Sequence, residues 1–178
     1  MPERTKKHTQ TEGLKVTSVV REIKIGSGIK DCRISDAASN AAVRASERAL
    51  KDLGEAVCRY LHIAKIKTID MNILHSVIKN DFQCKKLSAA AALSGIGKDR
   101  TKKDRRSIAI ASALRCFGKG CPLGKGNHSI RDDAKDALSV IAEAFIRDLG
   151  RDATRYTKAA KRLTIKTVDI ASVFEQRG

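Results

Sequence analysis

The chain has 178 residues, a formal net charge of +16, 42% hydrophobic positions, 3% aromatics, no Trp and two Pro. That length holds one or two small domains, and no apolar run approaches the roughly 20 residues that span a bilayer. Ala-rich runs and scarce aromatics exclude a β-sandwich or barrel and predict helices, while the basic excess calls for a polyanionic partner, nucleic acid first and an anionic membrane surface second.

Residues 1–13 read as a basic, disordered tail without the apolar core of a secretory signal. Val16–Ile25 predicts an amphipathic helix of about three turns, followed by a loop over 26–35 broken by Gly26 and Gly28. A long helix is expected over 36–63, capped by Ser35, because Ala38, Ala42, Ala45, Ala49, Leu53, Ala56 and Tyr60 recur at steps of three and four. Ile69–Lys79 predicts a short helix with Asp70 in its first turn, where the helix dipole favours a carboxylate. Residues 82–104 read as a connector, with a short helix at 82–94 ended by Gly95 and Gly97 and six cations against two acids over Lys98–Arg106. The pattern then returns. A short helix is expected at Ser107–Phe117, and a loop over 118–130 carries Gly118, Gly120, Gly124 and Gly126. A long helix over 131–160 starts in a capping box of Ser129 with Asp132, and a short helix at Val168–Gln176 has Asp169 in its first turn.

The recurrence is visible in the residues. Asp52-Leu53-Gly54 with Arg59-Tyr60 is echoed by Asp148-Leu149-Gly150 with Arg155-Tyr156, an offset of 96. Ile66-Lys67-Thr68-Ile69-Asp70 is echoed by Ile165-Lys166-Thr167-Val168-Asp169, an offset of 99. The two matches are collinear and imply a tandem duplication with three extra residues in the second copy. Adding 96 to the first stripe gives Ala134, Leu138, Ile141, Phe145, Leu149, Asp152 and Tyr156, apolar everywhere but Asp152. Lys and Arg outnumber Asp and Glu by seven in residues 1–89 and by nine in 90–178, so both copies are basic. A stripe on a single long helix cannot form a core alone, and the short helices or the other copy must cover it. Gly54 and Gly150, at matching mid-helix positions, read as sites of close helix crossing.

This short–long–short pattern resembles the histone fold. Residues 130–170 are similar to the long helix, second loop and last helix of an archaeal histone, and RYTKAAKRLTIKTVDI is similar to the same segment of a eukaryotic core histone. CRISDAASNAAV resembles the family's first loop and the start of its long helix, and IKTIDM its second loop and last helix. Two such units in one chain, 14–81 and 105–178, resemble the fused histone doublets of some archaea and giant DNA viruses. The resemblance implies an all-α protein whose tandem folds close as an intramolecular handshake, the first loop of each beside the second loop of the other, a clasp favoured by the high effective concentration of a tethered partner.

It also implies double-stranded DNA as partner, bent and compacted with low sequence specificity, self-association or pairing with other doublets into nucleosome-like particles, and a chromosome, nucleoid, nucleus or virion as location. By position, Arg33 matches the family's minor-groove arginine and Ser35 the cap after it; Arg162 and Thr164 match second-loop residues facing phosphate, and Arg162 with Asp169 matches the pair that braces that loop. Arg21, Lys30, Thr68, Arg115, Lys161 and Lys166 complete the candidate DNA-contacting set. The first copy departs from the pattern. Ile63 stands seven positions before Asp70 in place of the brace arginine, leaving Lys65 and Lys67 to serve DNA there. In the second copy Ser129 stands where the minor-groove arginine would be, with Arg131, Lys125 and His128 as alternatives for its role, and the histidine used in dimer–dimer contacts is Ala159.

Five cysteines at irregular spacing fit a reducing compartment better than a disulfide framework. Cys116, Cys121 and His128 invite a zinc site, but no fourth ligand is evident and the spacing is not a standard one, so no metal or cofactor is expected. His62 and His75 read as packing or surface residues. No phosphate-binding glycine loop, carboxylate pair or nucleophile–histidine signature points to an enzyme or to a small-molecule substrate. Two alternatives to DNA packaging stand beside it. One is a histone-fold scaffold of transcription-regulatory complexes serving protein partners; the other is a basic helical protein of RNA or membrane surfaces.

Overall fold

The computed structural model describes residues 13–80 and 107–177. The expected tail before residue 13, the helix at 82–94 and the cationic run at 98–106 lie outside the described residues. The elements run α1 (Val16–Ser27), β1 (Arg33–Ile34), α2 (Asp36–Ala64), β2 (Thr68–Ile69), α3 (Met71–Asn80), α4 (Ile110–Gly118), β3 (Ser129–Ile130), α5 (Asp132–Ala159), β4 (Thr164–Ile165) and α6 (Thr167–Arg177). Among the described residues, no helix is long and apolar enough to cross a membrane.

The long helices α2 and α5 form where the three-and-four spacing predicts them. Ser35 caps α2, its Oγ accepting the Ala38 N–H at 3.2 Å. The expected Ser129 cap of α5 is not formed. Ser129 lies in β3, its backbone N–H drawn into a ladder with the Lys67 carbonyl, and Arg131 is the N-cap without a side-chain bond. Asp132 and Asp133 in the first turn supply the charge that a helix N-terminus favours. Asp70 caps α3 from just before it, Oδ1 accepting the Ile73 N–H at 2.9 Å.

The two copies are closer in length than the motifs imply. α2 has 29 residues and α5 has 28, and Thr68-Ile69 and Thr164-Ile165 occupy corresponding strands, an offset of 96 that persists through the second loop. The echo at 99 is therefore a false register, and the second copy carries no extra turn. In the true register Arg162, Asp169 and Thr157 correspond to Ile66, Ile73 and Leu61, so the residue in place of the brace arginine is Ile66, not Ile63. Ile63 is 81% exposed beyond that contact.

The two halves clasp through their short first helices. α1 packs chiefly on α5 of the other copy, and α4 on α2. A Cβ at Gly54 would lie 2.2 Å from the Phe117 carbonyl oxygen, and one at Gly150 would lie 2.3 Å from that of Ile23. Gly26 and Gly120, which read as loop breakers, make the matching contacts on the other side, where a Cβ would meet the Arg147 and Lys51 carbonyl oxygens at 1.9 and 2.1 Å. Four glycines thus let two helix pairs approach backbone to backbone around a pseudo-twofold axis. The apolar stripe is correspondingly wider than one row, since each long helix is covered by its own copy and by the other. Val43, Leu50, Val57 and Leu61 are buried on α2 beside the expected Ala38, Ala42, Leu53 and Ala56. Leu138, Ile141, Ile146 and Leu149 of α5 meet Ile23 and Phe117 in the shared core. Tyr60, at the end of the stripe, is half-exposed.

Two glutamates at corresponding positions pin the chain as it enters each copy. Glu47 Oε1 accepts the Leu14 N–H at 2.9 Å, and Glu143 Oε1 accepts those of Ser107 and Ile108 at 2.9 and 3.3 Å. The buried Glu22 carboxylate of α1 is paired with Arg147 of α5 across the interface. Burial pushes the Cys116 thiol up, with Glu47 adding to it, and the residue is a core side chain of α4.

Candidate nucleic-acid interface

Closure of the halves places each first loop beside the other copy's second loop. β1 pairs in parallel with β4, Arg33 opposite Thr164; β2 pairs in parallel with β3, Thr68 opposite Ser129. At the first pairing, Arg33 N donates to the Leu163 carbonyl at 3.2 Å and Ser35 N to that of Ile165 at 3.1 Å. At the second, Ser129 N donates to Lys67 at 3.0 Å and Arg131 N to Ile69 at 2.9 Å. Ser129 thus occupies the counterpart of Arg33, and its hydroxyl meets that of Thr68 at 2.9 Å.

The loop side chains converge on these two ends. Lys30, Arg33, Lys161 and Lys166 are exposed at the first, with Arg162 and Thr164 partly buried among them and Asp31, Asp36 and Asp169 as the acids. Lys65, Lys67, Thr68, Lys125 and Arg131 are exposed at the second, with His128 partly buried and Asp70, Asp132 and Asp133 as the acids. Cations outnumber acids by five to three on the first rim and by four to three on the second, and Asp169 and Asp132 are bound internally to Arg162 and Lys135. The rims sit at opposite ends of α2, whose 29 residues make it roughly 40 Å long. Between them lie α1 and α4, against the middle of the long helices, bearing the corresponding exposed arginines Arg21 and Arg115. Lys119, which the sequence pattern does not single out, is exposed at the C-cap of α4 beside the middle of α2, next to the Gly120 contact with Lys51.

The brace at the first rim is a closed network. Asp169 Oδ1 accepts from Arg162 Nη2 at 2.8 Å; Oδ2 accepts from Arg162 Nη1 at 3.0 Å, Thr157 Oγ1 at 2.9 Å and Lys166 N at 2.8 Å. Burial alone would raise the Asp169 carboxyl, but the bonds from Arg162, the Lys166 N–H and Thr157 outweigh it and hold it below the usual carboxylate range. At the second rim Leu61, Ile66 and Ile73 stand instead. Ile66 and Ile73 line a shallow cleft with Tyr60, Asn72, Ser76 and Arg131, an apolar substitute for the ionic brace.

Lys65, the C-cap of α2, and Lys161, at the corresponding position just past the α5 C-cap Ala160, have φ of 54° and 53°. The following N–H groups close Schellman-type bonds, Ile66 to Leu61 O and Arg162 to Thr157 O, both at 3.0 Å. Glycine is the usual residue at such a cap, and a left-handed lysine costs about 1 kcal/mol or more. Lys161→Gly is therefore expected to raise unfolding free energy by up to about 1 kcal/mol in urea titrations, the relief being partly offset by unfolded-chain entropy, while Lys161→Ala yields no gain. A loss of stability in Lys161→Gly would show that the lysine side chain contributes more than its backbone strain.

Residues 123–174 match the family described as histone-like transcription factor (CBF/NF-Y) and archaeal histone. Among solved structures, the chain is similar to the crystal structure of the histone from Methanopyrus kandleri, with a TM-score of 0.66 at 16% identity over 90% of this chain and 92% of that one. No curated protein sequence matches the chain. The fold is the histone fold, one short–long–short unit in each half, and the second half also carries the family's sequence pattern.

Proposed function

We propose that the protein binds double-stranded DNA with low sequence specificity, bending and compacting it as a fused histone doublet and associating with further copies into nucleosome-like particles. The carrying observation is the pair of net cationic rims at opposite ends of α2, five cations to three acids at one and four to three at the other. Their separation of roughly 40 Å is close to one turn of B-DNA, about 34–36 Å, so a duplex crossing both meets them on successive turns, with Arg21 and Arg115 between. Arg33 enters the minor groove at one end; Thr164, Lys161, Lys166, Arg162 and the capped start of α2 at Ser35 hold phosphate beside it. At the other, Thr68, Lys65, Lys67, Lys125, His128 and Arg131 hold phosphate where Ser129 supplies no arginine. On this reading the protein is a structural DNA binder rather than an enzyme, and its location is that of the chromosome or nucleoid.

Duplex affinity measured by fluorescence anisotropy is expected to fall steeply with salt, about 0.9 log unit per tenfold salt for each phosphate neutralised, and to differ little between mixed sequences. Lys67→Ala should lower that slope by about one phosphate contact, and Arg33→Ala should weaken binding without changing sequence preference. A flat salt dependence would overturn the proposal. Exposed Leu163 and Ile63, at 72% and 81%, favour a second reading as a protein-binding histone-fold scaffold. That reading expects weak, salt-insensitive DNA binding in the same titration.

A further inference from the structure

We propose that Cys58, Cys121 and His128 form a binding site for a zinc-class divalent cation, tying the first loop of the second histone fold to the long helix of the first. One ligand atom from each residue lies within 4.8 Å of the other two. Cys58 is on α2; Cys121 and His128 flank the loop between α4 and β3. That loop turns back on itself through Gly124 and Gly126, at φ of 108° and 84°, with Gly124 N donating to the His128 carbonyl at 3.1 Å and Leu123 bridged to His128. The sharp return brings an imidazole and a thiol seven positions apart to the same point on α2. Cys116, which sequence spacing groups with Cys121 and His128, is turned into the core, and Cys58 from the other half stands in its place.

A second observation asks for a ligand. His128 Nδ1 is shielded from solvent and has no hydrogen-bond partner, and such a buried nitrogen is costly unless something binds it. Two thiols and one imidazole suit a borderline-soft ion such as Zn²⁺, and hard cations prefer oxygen. Around a tetrahedral ion, ligand atoms stand about 3.5–4 Å apart, given bonds of about 2.0–2.3 Å, so the present spacing closes with side-chain movements of about 1 Å. The fourth position is left to water. Loading releases thiol protons as thiolates form on the metal. The trio is confined to one end of the molecule: Ser27, Cys32 and Thr154 stand at the corresponding positions of the other. It lies under the rim where Ser129 replaces an arginine and the loop is longest, so the ion would stiffen the loop carrying Lys125. Metal binding itself does not depend on the DNA reading.

The test is titration of the full chain with Co²⁺ under a non-thiol reductant. One equivalent is expected to bind, with thiolate-to-cobalt absorption in the near ultraviolet, tetrahedral bands in the visible, and stoichiometric displacement by Zn²⁺. Cys58→Ser and Cys121→Ser should each weaken binding by at least about 100-fold and lower the thiolate band, and His128→Ala should weaken it by about 10-fold or more. Cys32→Ser should leave it unchanged. Zn²⁺ should raise the wild-type melting temperature, and raise that of folded His128→Ala less at the same concentration, with folding judged by circular dichroism. The proposal is overturned if wild type binds Co²⁺ no more tightly than a Cys58→Ser/His128→Ala double variant. It is equally overturned if that double variant retains the thiolate spectrum, or if Cys58 and Cys121 yield only a disulfide on oxidation and no metal when reduced.

Discussion

Alanine at Gly54 or at Gly150 is expected to lower the melting temperature by roughly 5–10 °C, the size of a net loss of about 2–3 kcal/mol in a chain of this length. The added methyl would meet the Phe117 or Ile23 carbonyl oxygen at 2.2 or 2.3 Å, and both are backbone atoms that cannot swing aside as a side-chain tip would. Either α4 must lift from α2 or α1 from α5, and each shift opens the core that the halves share. Alanine also gains about 1 kcal/mol of helix propensity over glycine, which the clash must exceed. Gly118→Ala is the control. Nothing lies within 4 Å of its added Cβ and its φ is ordinary, so it should be neutral or stabilising by up to about 1 kcal/mol. Calorimetry of the three variants checks the point, and equal behaviour of Gly54→Ala and Gly118→Ala would refute close backbone approach as the basis of the clasp.

Asp169→Asn is expected to cost about 3 kcal/mol at neutral pH, read from urea unfolding. The carboxylate is 2% exposed and receives four hydrogen bonds, so an amide there leaves Arg162 unbalanced and presents a donor where only acceptors fit. Arg162 is 26% exposed, and its partial hydration keeps the loss at the low end of the range for a broken buried pair. The pH dependence has a definite sign. The folded carboxyl lies below its ordinary value, so its stabilisation is complete above the unfolded value near pH 4 and is lost as pH falls through the folded one. The stability gap between wild type and Asp169→Asn should therefore be constant above about pH 5 and narrow below about pH 4. A gap unchanged down to pH 2 would exclude the ionised carboxylate as its source. The first copy offers a further check, since it fills the same three places with Leu61, Ile66 and Ile73. Thr157→Leu, Arg162→Ile and Asp169→Ile made together should fold with much of wild-type stability, because removing all the polar partners at once leaves no buried charge unpaired, as a single deletion does. In the DNA-binding reading, that triple variant should still bind duplex more weakly at the first rim.

Much of this molecule is local and therefore legible in the chain. The three-and-four spacing of Ala38, Ala42 and Leu53, and of Leu138, Ile141 and Leu149, sets the length of both long helices, because apolar periodicity decides which face can be buried. Ser35 announces its cap, since a serine before an apolar helical run has one local use. The DLG and RY echoes reveal two copies, and the charge count shows that each half is basic. Register across a loop is less secure. The IKTID echo matched identities where the strands match Thr68-Ile69 to Thr164-Ile165, because five residues carry too little information to outweigh pairing with a segment some 60–130 residues away.

Everything that depends on one half meeting the other was decided by tertiary packing. Ser129 is held in β3 by its pairing with the other copy, two residues ahead of the α5 N-cap Arg131 and with its hydroxyl on Thr68, and so does not cap α5. Gly26 and Gly120 read as breakers in isolation and serve as contact points because another backbone arrives there. Cys58 lies 63 positions from Cys121, and no spacing rule joins them; they meet because α4 docks on α2. The sequence alone determined which segments are helices, which faces are apolar and that the surface is cationic, since these follow from neighbours a few residues apart. Only the closure of the two halves determined which loops share a rim, which glycines bear the contact and which side chains meet, because those are properties of distance in space that a linear pattern does not encode.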